Sequence, residues 1–519
     1  MAQEATEAAE ELEPVSVMTA LGEIIGQQTD GLATFLGIPY AQAPVGDLRF
    51  RAPEPYPAWD TPFVADEFGD ICVQTTGAFA GLGGDIVGSE DCLFLNIYTP
   101  PNMAGDENLP VMVWIHGGAF VSGSSDQYDL SVLAAENNII AVSINYRLGL
   151  LGFMVHPALS VNQQTGASGN YGLMDQQLAL QWVQDHISDF GGDPENVTIF
   201  GESAGGASVC LQVVSPSAAG LFVRAISQSG LCLHQQSFLT LEQVDQKGED
   251  YTTTIGCDTT SDTAECLRNA SLETLLLSSG LEDFTPWWPV IDGHIIPQNL
   301  SEAFASNNFN QVPLISGSNQ NEGRLFDILF PLLAFSPITE EDLVQRIESL
   351  YPDQSAEILE RYSSEVHGSA PMAAAAQTTD SYFACPALAL NDIVRETIPI
   401  YAYEFSDTNV PLGFAGAAGG FLNNLELGAF HAAEITYVLR TPNLSDPSLF
   451  TPEQDELSKI MMQYWVNFAY TGNPNGDGLP EWQPYAEDDT ILEFIPGAIA
   501  PEQNFSEEHN CDFWNSLGQ

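Results

Sequence analysis

Ser203 has the surroundings of a nucleophile. It stands in Val197-Thr-Ile-Phe-Gly201-Glu-Ser203-Ala-Gly205-Gly206, a short apolar run that breaks at glycine, presents one serine and then enters the helix-compatible Ala-Ser-Val-Cys-Leu. A serine on a sharp turn between strand and helix has its hydroxyl pushed out beyond the sheet edge, and glycine-like flanks let the backbone approach itself that closely. The chemistry such a residue performs is attack on a carbonyl carbon. That reaction places a negative charge on the carbonyl oxygen, which needs donors already aimed at it. Upstream, Val111-Met-Val-Trp-Ile115 empties into His116-Gly117-Gly118-Ala119-Phe120. The backbone amides of Gly118 and Ala119 in this loop, with that of Ala204 after the serine, are the expected donors.

A serine hydroxyl at neutral pH also needs a base, and the base needs an acid to orient it. Eight histidines occur, at 116, 156, 186, 234, 294, 367, 431 and 509, and composition does not choose among them. Position does. Ile400-Tyr-Ala-Tyr-Glu-Phe405 reads as a late strand, and a Gly/Ala-rich loop leads from it to Gly428-Ala-Phe-His431-Ala-Ala-Glu434, so His431 is the expected base. Val312-Pro-Leu-Ile-Ser316 reads as another strand, and Glu322 in the polar loop after it is the expected acid. Gly117 and Glu202 are expected to stand immediately around this group.

These residues need a scaffold. Strand-like runs at 111–115, 139–144, 197–200, 312–316 and 400–405 alternate with helical segments. Over Leu173–Ser188, Met174, Leu178 and Trp182 form one stripe and Leu180, Val183 and Ile187 the next, a wide apolar face suited to packing on a sheet. Alternation of this kind implies a parallel sheet covered on both faces, with chemistry at the carboxyl ends of its strands. Trp287, Trp288, Phe326 and Phe330 are candidates to line an entrance.

From Val17 onward the chain resembles the type-B carboxylesterase and cholinesterase family of α/β-hydrolases, closest in pattern to its bacterial carboxylesterases. The matching stretches are Phe35-Leu-Gly-Ile-Pro-Tyr-Ala41 with Leu48-Arg-Phe50, Ser89-Glu-Asp-Cys-Leu-Phe-Leu-Asn96, Asn145-Tyr-Arg147, Gly169-Asn-Tyr-Gly-Leu-Met-Asp-Gln176, Phe190-Gly-Gly-Asp-Pro194, the Ser203 turn, Pro289-Val-Ile-Asp-Gly293 and Cys511-Asp-Phe-Trp514. The resemblance implies an α/β fold with a large, mostly parallel central sheet and helices on both faces. It implies a serine carboxylesterase that hydrolyses uncharged carboxylic esters through an acyl-enzyme, with no cofactor or metal. It carries over Ser203 as nucleophile, Glu322 as orienting acid, His431 as base, and Gly118, Ala119 and Ala204 as oxyanion donors, with Ser229 a hydroxyl near acid and base. It also pairs Cys72 with Cys92, Cys257 with Cys266 and Cys385 with Cys511; Cys210 and Cys232 are left over, and buried inert thiols are the favoured reading for them over a fourth bridge or a reactive site.

Departures narrow the substrate. Cholinesterases of the family stack the choline cation on a tryptophan between the first cysteine pair, and none lies between Cys72 and Cys92. The acyl-pocket region, Asp283-Phe-Thr-Pro-Trp-Trp288, diverges from the family pattern. The Gly-Gly-Ala form of the oxyanion loop goes in the family with tolerance of bulky alcohols. A lipase is disfavoured by the lack of an extended apolar lid. A catalytically silent adhesion or recognition relative is disfavoured because such proteins usually lose the nucleophile retained here.

Composition bounds the rest. With 70 acidic and 12 basic residues the formal charge is −58, and the anomaly is missing lysine: Lys247 and Lys459 are the whole complement. Charged residues total 16%, against about 25% ordinarily. Such a surface repels nucleic acid and anionic membranes. Its self-repulsion weakens with salt, as the screening length falls from about 10 Å at 0.1 M to about 3 Å at 1 M, which points to a salt-rich habitat. No run of 18 apolar residues occurs, so no membrane span is expected. Residues 1–16, acidic and nearly free of apolar side chains, are expected to form a disordered tail without signal-peptide character, and 17–519 a single catalytic domain. Bridged cysteines imply an oxidising compartment, hence a secreted or periplasmic protein. Five Asn-x-Ser/Thr sites, at Asn196, Asn269, Asn299, Asn443 and Asn504, are no more than chance supplies.

Overall fold

In the described residues of the computed structural model (12–29, 31–77, 84–101, 108–160, 166–234, 238–277, 287–413, 425–486 and 490–517), one large twisted sheet runs through the molecule. Its strands are β1 (Glu13–Thr19), β2 (Gly22–Gln28), β3 (Ala33–Pro39), β4 (Phe94–Thr99), β5 (Leu109–Ile115), β6 (Ile140–Ile144), β7 (Gly192–Glu202), β8 (Arg224–Gln228), β9 (Leu314–Asn319), β10 (Ile400–Phe405), β11 (Ile491–Ile495) and β12 (Ala498–Glu502). Their spatial order is β1-β2-β3-β4-β6-β5-β7-β8-β9-β10-β11-β12, with the short strand Phe63–Val64 beside β2. From β6 to β11 every neighbour is parallel, whereas β1–β4 and β12 attach antiparallel.

The sequence of β5 shows why the middle is parallel and covered. All seven of its residues are buried. Val111, Val113 and Ile115 join one hydrophobic cluster, and Met112 and Trp114 join the other, on the opposite face. Helices α1 (Tyr171–His186) and α2 (Ala204–Val214) feed the first cluster through Leu180, Val183, Leu211 and Val213. Helix α3 (Pro452–Thr471) feeds the second through Leu457, Met461, Trp465 and Phe468. A strand buried on both faces reads as a continuous apolar run, which is what 111–115 is.

Three expectations are corrected. Glu13–Ser16, placed by composition in the acidic tail, belong to β1 and pair along their length with Ile25–Gln28 of β2. Their alternation with Val17 and Thr19, both buried, outweighs the local acidity; residues 1–11 lie outside the described residues. The strand expected over Val312–Ser316 begins at Leu314 and runs on to Asn319, because Pro313 has no amide to give the ladder and Leu314 is the first to donate, to Pro399 O (3.0 Å). Cys210 and Cys232 are not free thiols but a fourth disulfide. Helix α2 packs back on β8, so residues 22 apart in sequence meet with Cα atoms 5.7 Å apart, a proximity that spacing alone does not reveal. Closing a loop of that length contributes on the order of 3 kcal/mol by restricting the unfolded chain. The other bridges are Cys72–Cys92, Cys257–Cys266 and Cys385–Cys511. Among the described residues no helix is long and apolar enough to cross a membrane.

Buried polar ties fix the loops above the strands' carboxyl ends. Arg147, just after β6, grips Asp175 of α1 through its amide (3.0 Å), Nε (2.7 Å) and Nη2 (2.6 Å). Planar guanidinium and carboxylate bonded in this way set direction as well as distance. Tyr40 donates its hydroxyl to Asn145 O (2.6 Å) beside it.

Candidate active site

Ser203 lies between the end of β7 and the start of α2, with φ 59° and ψ −122°. A non-glycine residue in that region costs about 1 to 3 kcal/mol, so the surroundings must hold it there. Its amide donates to Gln228 O at the end of β8 (3.0 Å), and its carbonyl accepts Ala207 N–H (2.8 Å). Glycine is required on both sides. A methyl on Gly205 would come within 2.0 Å of Ile115 O and one on Gly201 within 2.5 Å of the same atom. The helix therefore starts directly on the end of β5.

Glu322 and His431 meet. Strand β9 ends at Asn319, whose amide donates to Glu322 Oε1 (2.8 Å), and Glu322 Oε2 lies 2.6 Å from His431 Nδ1. Both side chains are buried. The turn that carries His431 is tied to the same strand end. Asn319 Nδ2 donates to Phe430 O (2.9 Å), and the Asn321 amide donates to Ala429 O (2.9 Å). The rings of Phe326 and Phe383 flank the imidazole, each 4.8 Å from it. Nδ1 toward a carboxylate leaves Nε2 as the reactive nitrogen, and among the described residues Nε2 has no hydrogen-bond partner. Glu202 Oε1 is 3.1 Å from it, outside hydrogen-bonding geometry, and Glu202 is the residue before Ser203.

A third buried carboxylate completes the surroundings, one that the sequence reading did not select. Glu434, three residues after His431, accepts Gln228 Nε2 at Oε1 (3.0 Å) and Asn319 Nδ2 at Oε2 (2.6 Å). Trp465 Nε1 in turn donates to Gln228 Oε1 (3.0 Å). The interval of three residues between His431 and Glu434 was the available signal, but an exposed helical face produces the same spacing. Glu202 and Glu434 act on the same buried imidazole, so neither shifts independently of it. Burial pushes Glu202 well above the carboxylate range, opposed by His431, and burial also raises Glu434, helped by Glu322. For His431 burial acts downward, but Glu202, Glu322 and Glu434 outweigh it and hold the imidazole up at about 9.

The loop after β5 faces this group. Gly118 (φ 103°), Ala119 (φ 54°) and Phe120 (φ 60°) follow one another in left-handed conformations, and the Gly118 carbonyl accepts the amides of Val121 and Ser122 (3.0 Å each). Among the described residues no hydrogen bond uses the amides of Gly118 or Ala119. Ala204 opens α2, where the first amides have no partner within the helix. A methyl on Gly117 would lie 3.1 Å from Ser203 Cβ and 2.8 Å from Glu202 O, so this loop runs against the serine itself. His116 braces it from behind. Its Nδ1 donates to Gly117 O (2.8 Å), its ring stacks on Tyr146 at 4.4 Å, and burial lowers it to about 4, so it is uncharged.

Ser229 follows β8 and donates its amide to Gly317 O (2.9 Å) on β9, the strand that leads to Glu322. Its buried hydroxyl has no hydrogen-bond partner among the described residues. Of the candidate entrance residues, Phe326 packs on His431, and Trp288 reaches Phe120 of the amide loop (6.1 Å). Trp287 instead sits in the core against Tyr251 (5.8 Å) with the Lys247 ammonium over its ring. Of the acyl-pocket region, 283–286 lie outside the described residues. Phe383, which the sequence reading did not select, is held from the far side. Its segment, Thr379–Ala384, carries Asp380, and buried His509 is clamped between Asp380 and Glu404, 2.7 Å from each.

One other acidic group invites comparison with a cation site. Glu404, Glu493 and Glu502 bring carboxylate oxygens within 4.8 Å of one another. Burial, then Glu404, Glu493 and Glu508, push Glu502 up to about 8, and His509 Nε2 lies 2.7 Å from Glu404 Oε1 beside it.

Comparison with known proteins gives one answer. The model of the "Carboxylesterase family" matches residues 13–514. The chain is 36% identical to the cocaine esterase of Homo sapiens over 96% of this chain and 90% of that one. It is 33% identical to carboxylesterase 1C of Rattus norvegicus over 97% and 93%. Among solved structures it is similar to a PNB esterase, with TM-score 0.79 and 32% identity over 96% of this chain and 99% of the other.

Proposed function

The chain belongs to the carboxylesterase family and is a carboxylic ester hydrolase of the α/β-hydrolase fold, and on that premise we propose that it works through an acyl-enzyme on Ser203. His431 Nε2 takes the hydroxyl proton as Ser203 Oγ adds to the ester carbonyl. The tetrahedral oxyanion is met by the amides of Gly118, Ala119 and Ala204, each worth about 3 to 4 kcal/mol of barrier by the usual measure of removing a donor. The proton then passes from His431 to the alkoxy oxygen and the alcohol leaves, with the acyl group bonded to Ser203. Water follows the same path: His431 deprotonates it, it adds to the acyl carbon, and the acid departs as Ser203 recovers its proton. Glu322 holds the imidazole with Nδ1–H toward itself and stabilises the cation formed in each half-reaction.

The observation that supports this reading most is the 2.6 Å contact of Glu322 with His431 Nδ1, which turns a hydrogen-bond-free Nε2 toward the Glu202–Ser203 turn. Uncharged esters suit the site. Its walls near the base are the rings of Phe326 and Phe383. The test is pre-steady-state hydrolysis of p-nitrophenyl acetate: a burst of p-nitrophenol close to one equivalent per enzyme, followed by slower turnover. Linear release from the first milliseconds, with no acetyl group on Ser203 after acid quench, overturns the acyl-enzyme.

We infer further that the protein works outside the reducing cytoplasm, since four disulfides fit an oxidising compartment. The charge of −58 supports adaptation to salt. The expected result is a melting temperature that climbs steadily from 0.1 to 1 M NaCl; a flat or falling series removes this inference.

A further inference from the structure

We propose that the tip Leu333–Phe335 docks this protein on the surface of an uncharged, water-insoluble ester phase; the proposal rests on the ester hydrolysis assigned to the Ser203 site. The turn that carries Glu322 continues into a π-helix, Leu325–Leu329, and a short helix, Phe330–Leu333. Phe326, at the near end, packs on His431. At the far end Leu333 is 43% exposed and Phe335 is 94% exposed, and Ala334, Ser336 and Pro337 around them are exposed as well. Leu332 is partly buried against the core and anchors the tip from beneath.

Among the described residues nothing accounts for a phenylalanine there. The helix closes with Ala334 N–H to Phe330 O (2.9 Å), Phe335 N–H to Leu332 O (3.1 Å) and Ser336 N–H to Pro331 O (2.9 Å). Phe335 takes the left-handed position of this closure, with φ 56°. Glycine is the ordinary residue at such a position because it alone is not penalised for positive φ. An aromatic residue there is disfavoured by its backbone and again by a large apolar ring left in water, and among the described residues no side chain covers it.

Charge selects the partner. The helix that follows, Glu340–Leu350, opens with Glu340, Glu341 and Asp342, all exposed, and the whole chain carries −58. A second copy or an anionic bilayer approaching this tip meets like charge. An uncharged ester surface carries none. It accepts a leucine and a phenylalanine at the depth an interfacial side chain reaches, and it is a reservoir of the molecules the nearby site cleaves.

The experiment compares the wild type with Phe335→Gly, which suits the backbone, and with Leu333→Ser/Phe335→Gly. Each is assayed on emulsified tributyrin above its solubility limit and on dissolved p-nitrophenyl acetate. The expected result is a loss of fivefold or more on the emulsion, with kcat/KM on the dissolved ester within twofold of wild type and less protein sedimenting with the droplets. Equal rates on the emulsion overturn the proposal, as do equal losses on both substrates. So does a wild-type dimer in gel filtration that Phe335→Gly converts to monomer, or stronger binding to phosphatidylglycerol vesicles than to tributyrin. A wild type inactive on the dissolved ester refutes the reading of the Ser203 site instead, which keeps the two failures apart.

Discussion

Ser203→Ala is expected to leave a protein with unchanged circular dichroism and melting temperature that has lost about 10⁶-fold of its kcat on p-nitrophenyl acetate. The size follows from the mechanism. Without the oxygen nucleophile there is no acyl-enzyme, and His431 and Glu322 have no proton to move. What survives is the polarisation of a bound carbonyl by the amides of Gly118, Ala119 and Ala204, which alone gives about 10³- to 10⁴-fold over water. The fold should tolerate the change well. Alanine removes one oxygen atom, and the contacts that hold residue 203 at its unusual dihedrals, to Gln228 O and from Ala207 N–H, are made by its backbone. Turnover within tenfold of wild type would place the nucleophile elsewhere.

Glu322→Gln carries the next largest effect, a fall in kcat of about 10⁴-fold. Glutamine preserves the shape of the side chain and can still accept the Asn319 amide through its carbonyl oxygen. The amide nitrogen then faces His431 Nδ1, so the imidazole is stabilised with its proton on Nε2, the nitrogen that must accept from Ser203. The pH profile separates this from a merely structural fault. His431 acts as a base only when unprotonated, so wild-type kcat/KM should rise with pH through the imidazole's pKa, held up at about 9 by Glu202, Glu322 and Glu434. Removing the Glu322 charge leaves less to oppose burial, which lowers that pKa, and the rising limb moves to lower pH as its plateau falls. A variant that loses activity with its limb unmoved would show that Glu322 is no neighbour of the titrating base.

The contrast between what was legible in the sequence and what was not is a contrast between local and distant physics. The sheet could be read because Val111–Ile115 is apolar at every position, a pattern that only burial on both faces explains. The turn at Ser203 could be read because Gly201, Gly205 and Gly206 stand where a methyl group would strike Ile115 O or Gln228 O. Glu322 and His431 could be placed after strands, although the 2.6 Å between them depends on Asn319 holding both turns, which no spacing encodes. Glu434 was not legible, since its burial comes from Gln228 and Trp465 on two other elements. The Cys210–Cys232 bridge was missed for the same reason, as it follows from the packing of α2 on β8. β1 was missed because acidic composition over a short window hid the alternation of Val15 and Val17.

The few cations of this chain are used as ties. Arg49 grips Glu90, Arg147 grips Asp175, Arg346 reaches Asp327, and Arg440 and Lys459 share Asp455. Lys247 and Lys459 are the whole lysine complement. A digestive protease that cuts after basic residues therefore meets a folded surface with scant purchase, and the peptides it releases from the unfolded chain are long. Reagents that label or immobilise proteins through side-chain amines have two handles here, so the molecule would sit on such a support in few orientations.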